Sequence, residues 1–419
     1  MTDLKNKILE EIQNSKIFDT HEHFGHDGLY NPSSVLSLEQ ILHWSYIGLK
    51  KQHYANYTEL CEEIQKNRVF ATAAFASIRF ALKSLYEIDI YPISPKKMEN
   101  LEKKIQNAYS DSSYIFRVLE DQANVQNVIL DIQPEFWKPW HHKNKPIFEQ
   151  TIRIDEVICP FIKIKPGVYS LSKDVNQIAK YAISNSLSIE TLEDFEEALE
   201  KYLETLRKHA NVIKIGVAYQ RTLNFQLEEN EDGKIRKIYS KMKSSNSTYS
   251  EKENQRWGNY ILTILLGYAT IERIPVQIHT GLATMKETSP LFLLDIMEVF
   301  SSVQFDLFHG GYPFHETIPG ILSQRNNAFV DLCWLPIISQ NATRQLLKEL
   351  IEWQSVKKVC GYGGDCIAVE GSLGALFVLK DILAEVLADF IKDNRFNKTD
   401  AISIAEDILY NNAAKLYSA

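Results

Sequence analysis

Paired cysteines, basic clusters and long apolar runs are all scarce in this chain, and each shortage removes a class of function. The five cysteines, Cys61, Cys159, Cys333, Cys360 and Cys366, are scattered, odd in number and without CxxC spacing, so they read as free thiols of a reducing compartment. No basic cluster or aromatic–basic alternation accompanies the formal net charge of -8, so nucleic acid is not an expected partner. The longest apolar stretch, near Tyr260 to Ile271, is too short to span a bilayer. At the start, MTDLKNKILEEIQNSK lacks the uninterrupted apolar core of a signal peptide and reads as a charged amphipathic helix. A short-period repeat and a low-complexity linker are both missing. These absences predict a soluble cytoplasmic protein, a single domain over residues 1–419.

What is present is an ordinary globular composition, 45% hydrophobic and 24% charged over 419 residues, enough to bury a large core. An opening helix over 3–14 carries Leu4, Ile8 and Ile12 on one stripe. Strand one follows and ends in Asp19-Thr20-His21-Glu22-His23. From about Gly28 to Asn124 the pattern is helical, chiefly over 58–90 and 95–121. This insertion, residues 28–124, is placed to cap a barrel mouth, where it either selects substrate or stabilises the fold.

Further strands are expected at Val125–Asp131, Val157–Ile162, Val212–Tyr219, Pro275–His279, Gln304–Phe308, Ala328–Leu332 and Lys357–Gly361. The capping box Thr191-Leu192-Glu193-Asp194 opens a helix to about His209. Residues 226–256, polar with Ser/Asn runs, read as a mobile loop or frayed helix, either a lid or a solvated excursion. Helices follow at Trp257–Glu272 and Thr399–Tyr417. Strands alternating with helices at this spacing predict parallel βαβ units. Eight of them make an α/β fold, a (β/α)8 TIM-like barrel with a helical insertion after strand one.

In such a barrel the C-terminal ends of all strands open on one face. His21 and His23, at i and i+2 in extended backbone, point to one side and can grip one cation. His279 ends strand five, His309 follows strand six, and Asp365 lies just past strand eight in a glycine-rich turn. The expected metal ligands are His21, His23, His279 and Asp365, with His309 and Lys214 as additional candidates. The ion is divalent, zinc first and manganese second, one or two in number. It would lower the pKa of a bound water toward ~7.

Asp365 is the expected general base and His309 either a second-metal ligand or the group that polarises a carbonyl. Lys214, among apolar neighbours, is either carbamylated into a bridging carboxylate or salt-bridged to an acid such as Asp131. Arg221 reads as a fork for a substrate carboxylate or as a surface arginine on a mobile loop. Tyr219 and Trp334 are candidates to line a substrate pocket. Of the remaining histidines, His26 and His315 are the two most apt to support the site.

These residues and the phrases KIGVAYQRTL, PVQIHTGL, LFHGGYPF and FVDLCWLP resemble the amidohydrolase superfamily. Within it they look like the amidohydrolase-2 branch, especially the amidohydrolase-like domain fused to glutamine synthetase-like domains in nodulin-type proteins. The insertion after strand one is similar to that of uronate isomerases. The resemblance implies a metal-dependent hydrolase that cleaves an amide, cyclic amide or ester bond of a small, carboxylate-bearing substrate. A decarboxylase or sugar-acid isomerase on the same barrel is the alternative, and a barrel kept as a binding scaffold a third reading. No membrane partner is expected, and homo-oligomerisation is left open.

Overall fold

The computed structural model describes residues 2–24, 36–51, 53–131, 147–172, 177–230, 233–244, 247–353 and 356–418. Eleven strands run in chain order among them: β1 Ile17–Glu22, β2 Val125–Leu130, β3 Phe148–Arg153, β4 Phe161–Lys165, β5 Val168–Leu171, β6 Ala210–Ile215, β7 Thr248–Ser250, β8 Val276–Ile278, β9 Phe305–Leu307, β10 Ala328–Asp331 and β11 Val359–Cys360. Eight form one sheet in the order β1-β2-β3-β6-β8-β9-β10-β11, and β4-β5-β7 form a second, three-stranded sheet. With parallel pairing and helices between strands, this is a (β/α)8 barrel. The chain groups into two compact units, residues 1–150 with 330–416, and residues 151–329 with 417–419.

In the first unit every residue of β1 is buried, as expected of a parallel strand covered on both faces. Helices at Leu38–Trp44, Tyr57–Lys66, Ala73–Tyr86 and Pro95–Tyr109 follow it. Their boundaries are chemical: Ser37, Asn56, Thr72 and Ser94 each cap a helix start through a side-chain oxygen, which satisfies backbone donors the helix cannot. Helix Ala73–Tyr86 buries Phe75, Ile78, Ala81 and Leu82, each large apolar side chain contributing about 1.5–3 kcal/mol. It lies close along helix Val369–Lys392 because Gly374 has no side chain, and a Cβ there would meet Ser77 O at 2.6 Å. Buried Glu370 fastens the same contact: its carboxylate accepts from Tyr86 (2.6 Å), Tyr114 (3.1 Å) and Tyr109 (2.9 Å).

In the second unit β6, β8 and β9 pair in register, Lys214 opposite Gln277 and Gln277 opposite Asp306. Helix Leu192–Arg207 begins at the Thr191–Asp194 capping box, as expected. Three expectations are corrected. The third barrel strand is Phe148–Arg153, not Val157–Ile162. Asp155–Ile158 is a short helix, and the run Phe161–Lys165 pairs with β5 across a turn at Pro166-Gly167, where Gly167 has φ +70. A short apolar run does not declare its partner, whereas Pro-Gly between two alternating runs is a hairpin signal.

Residues 226–256 are the second correction: they hold a helix, Lys234–Met242, the strand β7 and the first turn of helix Glu251–Glu272. That helix starts six residues earlier than Trp257 because Ser250 and Glu253 form a capping box. The third correction is strand four, which ends at Ile215; Val217–Tyr219 turns as a 3-10 helix after the Gly216 N–H donates to Asp155 at 3.0 Å.

Candidate metal centre

The histidine pair sits where the strand period puts it. His21 is in β1 and buried, His23 is one residue beyond, and their rings lie 4.9 Å apart at 87°. The segment after β11 runs beside the end of β1: Thr20 N–H donates to Tyr362 O (3.0 Å), Asp365 N–H to His21 O (2.9 Å) and His23 N–H to Cys366 O (3.0 Å). This ladder carries the Asp365 carboxylate to the imidazoles. Its Oδ1 is 2.9 Å from His23 Nε2 and 3.7 Å from His21 Nε2. Gly364 is required there, since a Cβ would collide with Glu22 Oε1. Asp365 itself is left-handed, φ +53, a conformation that needs support from its surroundings. Tyr46 gives it, donating from its hydroxyl to Asp365 O at 2.7 Å.

Asp131, directly after β2, completes the group. Its Oδ2 is 3.7 Å from His21 Nε2, and its carbonyl is 2.9 Å from His23 Nδ1. A carbonyl only accepts, so Nδ1 of His23 carries the proton and Nε2 is left with its lone pair. That lone pair faces a carboxylate oxygen at hydrogen-bond distance. Two acceptors so placed need a proton or a cation between them.

Ligands at ~2.1 Å around a tetrahedral ion stand about 3.4 Å apart, and the 3.7 Å separations are close to that. His21, His23 and Asp131 offer ligand atoms all within 4.8 Å of one another. The donor set, nitrogen and carboxylate oxygen, suits a divalent ion such as zinc.

Two further acids lie under the pair. Asp19 and Glu22 are fully buried. Desolvation pushes the Asp19 carboxyl up to about 8, and desolvation with the neighbouring Asp19 charge holds Glu22 well above the usual range. Asp19 Oδ1 accepts weakly from His21 N–H (3.3 Å) and Gly364 N–H (3.4 Å), and Glu22 Oε2 accepts from Cys366 N–H (2.8 Å). These bonds tie β1 to the Asp365 turn. Trp334 packs its ring on Tyr46, centroids 5.3 Å apart.

In the second unit His279 and His309 meet: Nδ1 of His279 is 3.0 Å from Nε2 of His309, while Nε2 of His279 is 2.7 Å from Leu282 O. The carbonyl again fixes the tautomer and leaves Nδ1 basic. Tyr219 lays its ring 4.6 Å from that of His279. Lys214 is buried, its ammonium 3.6 Å from the centre of the Phe308 ring. Arg221 is 8% exposed, which overturns the surface reading. It donates to Asn259 Oδ1 (2.6 Å) and to the carbonyls of Thr222 and Gln255. His315 stacks on Tyr312, and His26 lies outside the described residues.

Sequence reasoning had Asp131 only as a partner for Lys214 and did not single out Tyr46, Asp19 or Glu22. For Asp131 the signal was available, a carboxylate at a strand end. For Tyr46 no local pattern points 319 residues along the chain.

A family model described as amidohydrolase matches residues 265–419. Protein fluG of Emericella nidulans is 25% identical over 148 residues, a match covering 34% of this chain and 17% of that relative's length. The fold is shared with a uronate isomerase from Thermotoga maritima (TM-score 0.77, 13% identity, 99% and 97% of the two chains) and a glucuronate isomerase from Caulobacter crescentus (0.76, 11%, 99% and 94%). A candidate metal-dependent hydrolase from Lactobacillus casei shares it too (0.68, 13%, 98% and 97%). At such identities the likeness speaks for the barrel and not for a reaction. The family match covers residues 265–419, the C-terminal part of the chain, and the shared barrel covers nearly all of it.

Proposed function

We propose that the protein is a metal-dependent hydrolase that cleaves an amide, cyclic amide or ester of a small, carboxylate-bearing substrate. The observation that carries this reading is His23 Nε2 set 2.9 Å from Asp365 Oδ1, with His21 and Asp131 beside it. His21, His23, Asp131 and Asp365 would hold the ion, zinc or manganese. His279 is proposed as a further ligand by its place at a strand's C-terminal end, and His309 as a second-metal ligand or the polariser of the substrate carbonyl.

A divalent ion in such a site supplies a water acidic enough to ionise near neutrality and draws electron density from a carbonyl. Asp365 accepts the proton of the attacking water as its oxygen bonds to the carbonyl carbon, then returns that proton to the departing nitrogen or oxygen as the C–N or C–O bond breaks. His23, its Nδ1 tied to the Asp131 carbonyl, would present Nε2 to the ion beside that carboxylate. Tyr219 and Trp334 are the proposed walls for the substrate.

The test is to strip the protein with a chelator, restore zinc or manganese, and screen amides, lactams and esters beside uronates and unsaturated acids. Metal-restored hydrolysis that Asp365→Asn abolishes supports the reading. Aldose–ketose conversion or carbon dioxide release in its place assigns the site to an isomerase or decarboxylase, and no bound metal with no metal-dependent turnover overturns it.

A further inference from the structure

Between helices Thr2–Ile12, Ala73–Tyr86 and Val369–Lys392 of the first unit lies a cavity of about 570 Å³ that the proposed chemistry does not use. Leu9, Phe80, Phe377 and Ile382 supply apolar wall, and one lysine, Lys380, lines it with its side chain withdrawn from solvent. Lysines on helices normally carry the ammonium out to water or to a carboxylate. Among the described residues this one reaches no carboxylate, and it is shut from water.

Lys380 is 4% exposed and its Nζ donates to Gln13 O at 2.7 Å. The adjacent carboxylate is engaged elsewhere: Asp381 pairs with Lys5 at 2.7 Å. Lys83, the other cation on the wall, stands 3.9 Å from Asp89. Burial lowers the Lys380 ammonium to about 8. At neutral pH the group is still mostly protonated, a buried cation bonded to one main-chain carbonyl, and such a charge is costly without a counter-charge.

We propose that this cavity is a second ligand site, which takes a small organic carboxylate with an apolar body, its carboxylate paired to Lys380 Nζ. The volume falls in the range of small-molecule sites, about 300–1,000 Å³. One ammonium and the amides of Gln13, Gln122 and Gln340 suit a monoanion, whereas a phosphate dianion calls for more cationic donors. The same helix, Val369–Lys392, starts four residues after Asp365, so occupancy of the cavity bears on the element next to the metal centre.

The experiment titrates full-length protein with hexanoate and benzoate, and with hexanamide and benzamide as uncharged counterparts, by calorimetry. Wild type binds each carboxylate at least tenfold tighter than its amide. Lys380→Met removes that preference, Lys380→Arg keeps part of it, and both leave metal content unchanged. At pH 8 carboxylate binding takes up protons, seen as a heat that changes with the buffer's ionisation enthalpy, because pairing raises the ammonium's pKa. Equal affinity for acid and amide, a preference that survives Lys380→Met, or no binding by any of the four probes overturns the proposal. So does carboxylate binding that is lost on chelation or in Asp365→Asn, which would place the probe at the metal centre.

Discussion

Removing one hydroxyl tests whether the Asp365 turn is held from outside. In Tyr46→Phe the ring and its packing on Trp334 remain, and only the 2.7 Å bond from the phenol to Asp365 O is lost. A hydrogen bond of this kind contributes about 0.5–1.5 kcal/mol net, and Tyr46 is 39% exposed, so water partly replaces the donor and the lower half of that range applies. Asp365 depends on the bond because its left-handed backbone, φ +53, is the conformation a free aspartate leaves first. A loss of about 0.5–1 kcal/mol corresponds to a factor of about 2–5 in any equilibrium that needs Asp365 in place. Metal affinity, read by competition with a chromogenic chelator, is therefore expected to weaken by that factor in Tyr46→Phe, and by far more in Asp365→Asn. Tyr46→Trp, which cannot donate in the same place, should match the phenylalanine. An unchanged metal affinity in Tyr46→Phe together with a large loss in Asp365→Asn would refute the idea that Tyr46 positions the carboxylate.

Two further outcomes follow from buried charges in the first unit. Lys380, with its ordinary value of 10.5 lowered to about 8 by burial, costs the fold about 3 kcal/mol wherever both states are protonated. Below pH 8 that cost is complete; between pH 8 and 10.5 the unfolded chain binds more protons than the folded one, so stability rises with pH. Lys380→Met is accordingly expected to be more stable at pH 7 by up to about 3 kcal/mol, or about 3 °C in melting temperature for a chain of this size, with the gap closing toward pH 10.5. A gap that widens with pH refutes the assignment. Tyr109→Phe removes a donor from the buried Glu370 carboxylate, at a cost of about 1.5–3 kcal/mol. Burial raises the Glu370 pKa, so the penalty measured by urea unfolding should shrink as the pH falls and the carboxyl becomes neutral.

Local rules carried the reading a long way. The two-residue period of an extended strand was enough to align His21 with His23, and the serine/threonine-to-acid spacing was enough to start the helix at Leu192. Alternation of strand and helix signals gave the barrel, because parallel strands demand a crossover each time. The failures share a cause. Val157–Ile162 has the apolar content of a strand, yet whether Phe161–Lys165 joins the main sheet or pairs with β5 depends on neighbours that composition does not name. Residues 226–256 look unstructured by polarity, although Ser250 and Glu253 had the spacing of a helix start.

What the sequence by itself determined is therefore the inventory: which strand ends carry imidazole or carboxylate, and in what order. Tertiary structure alone decided that Asp131 turns its carbonyl to His23 and its carboxylate to His21, that Tyr46 reaches Asp365, and that Lys380 is buried against the carbonyl of Gln13. Periodicity and capping act over a few residues and are written in adjacent side chains. Contacts between groups more than a hundred residues apart exist only once the core has packed, and it is those contacts that set tautomer, charge and reach.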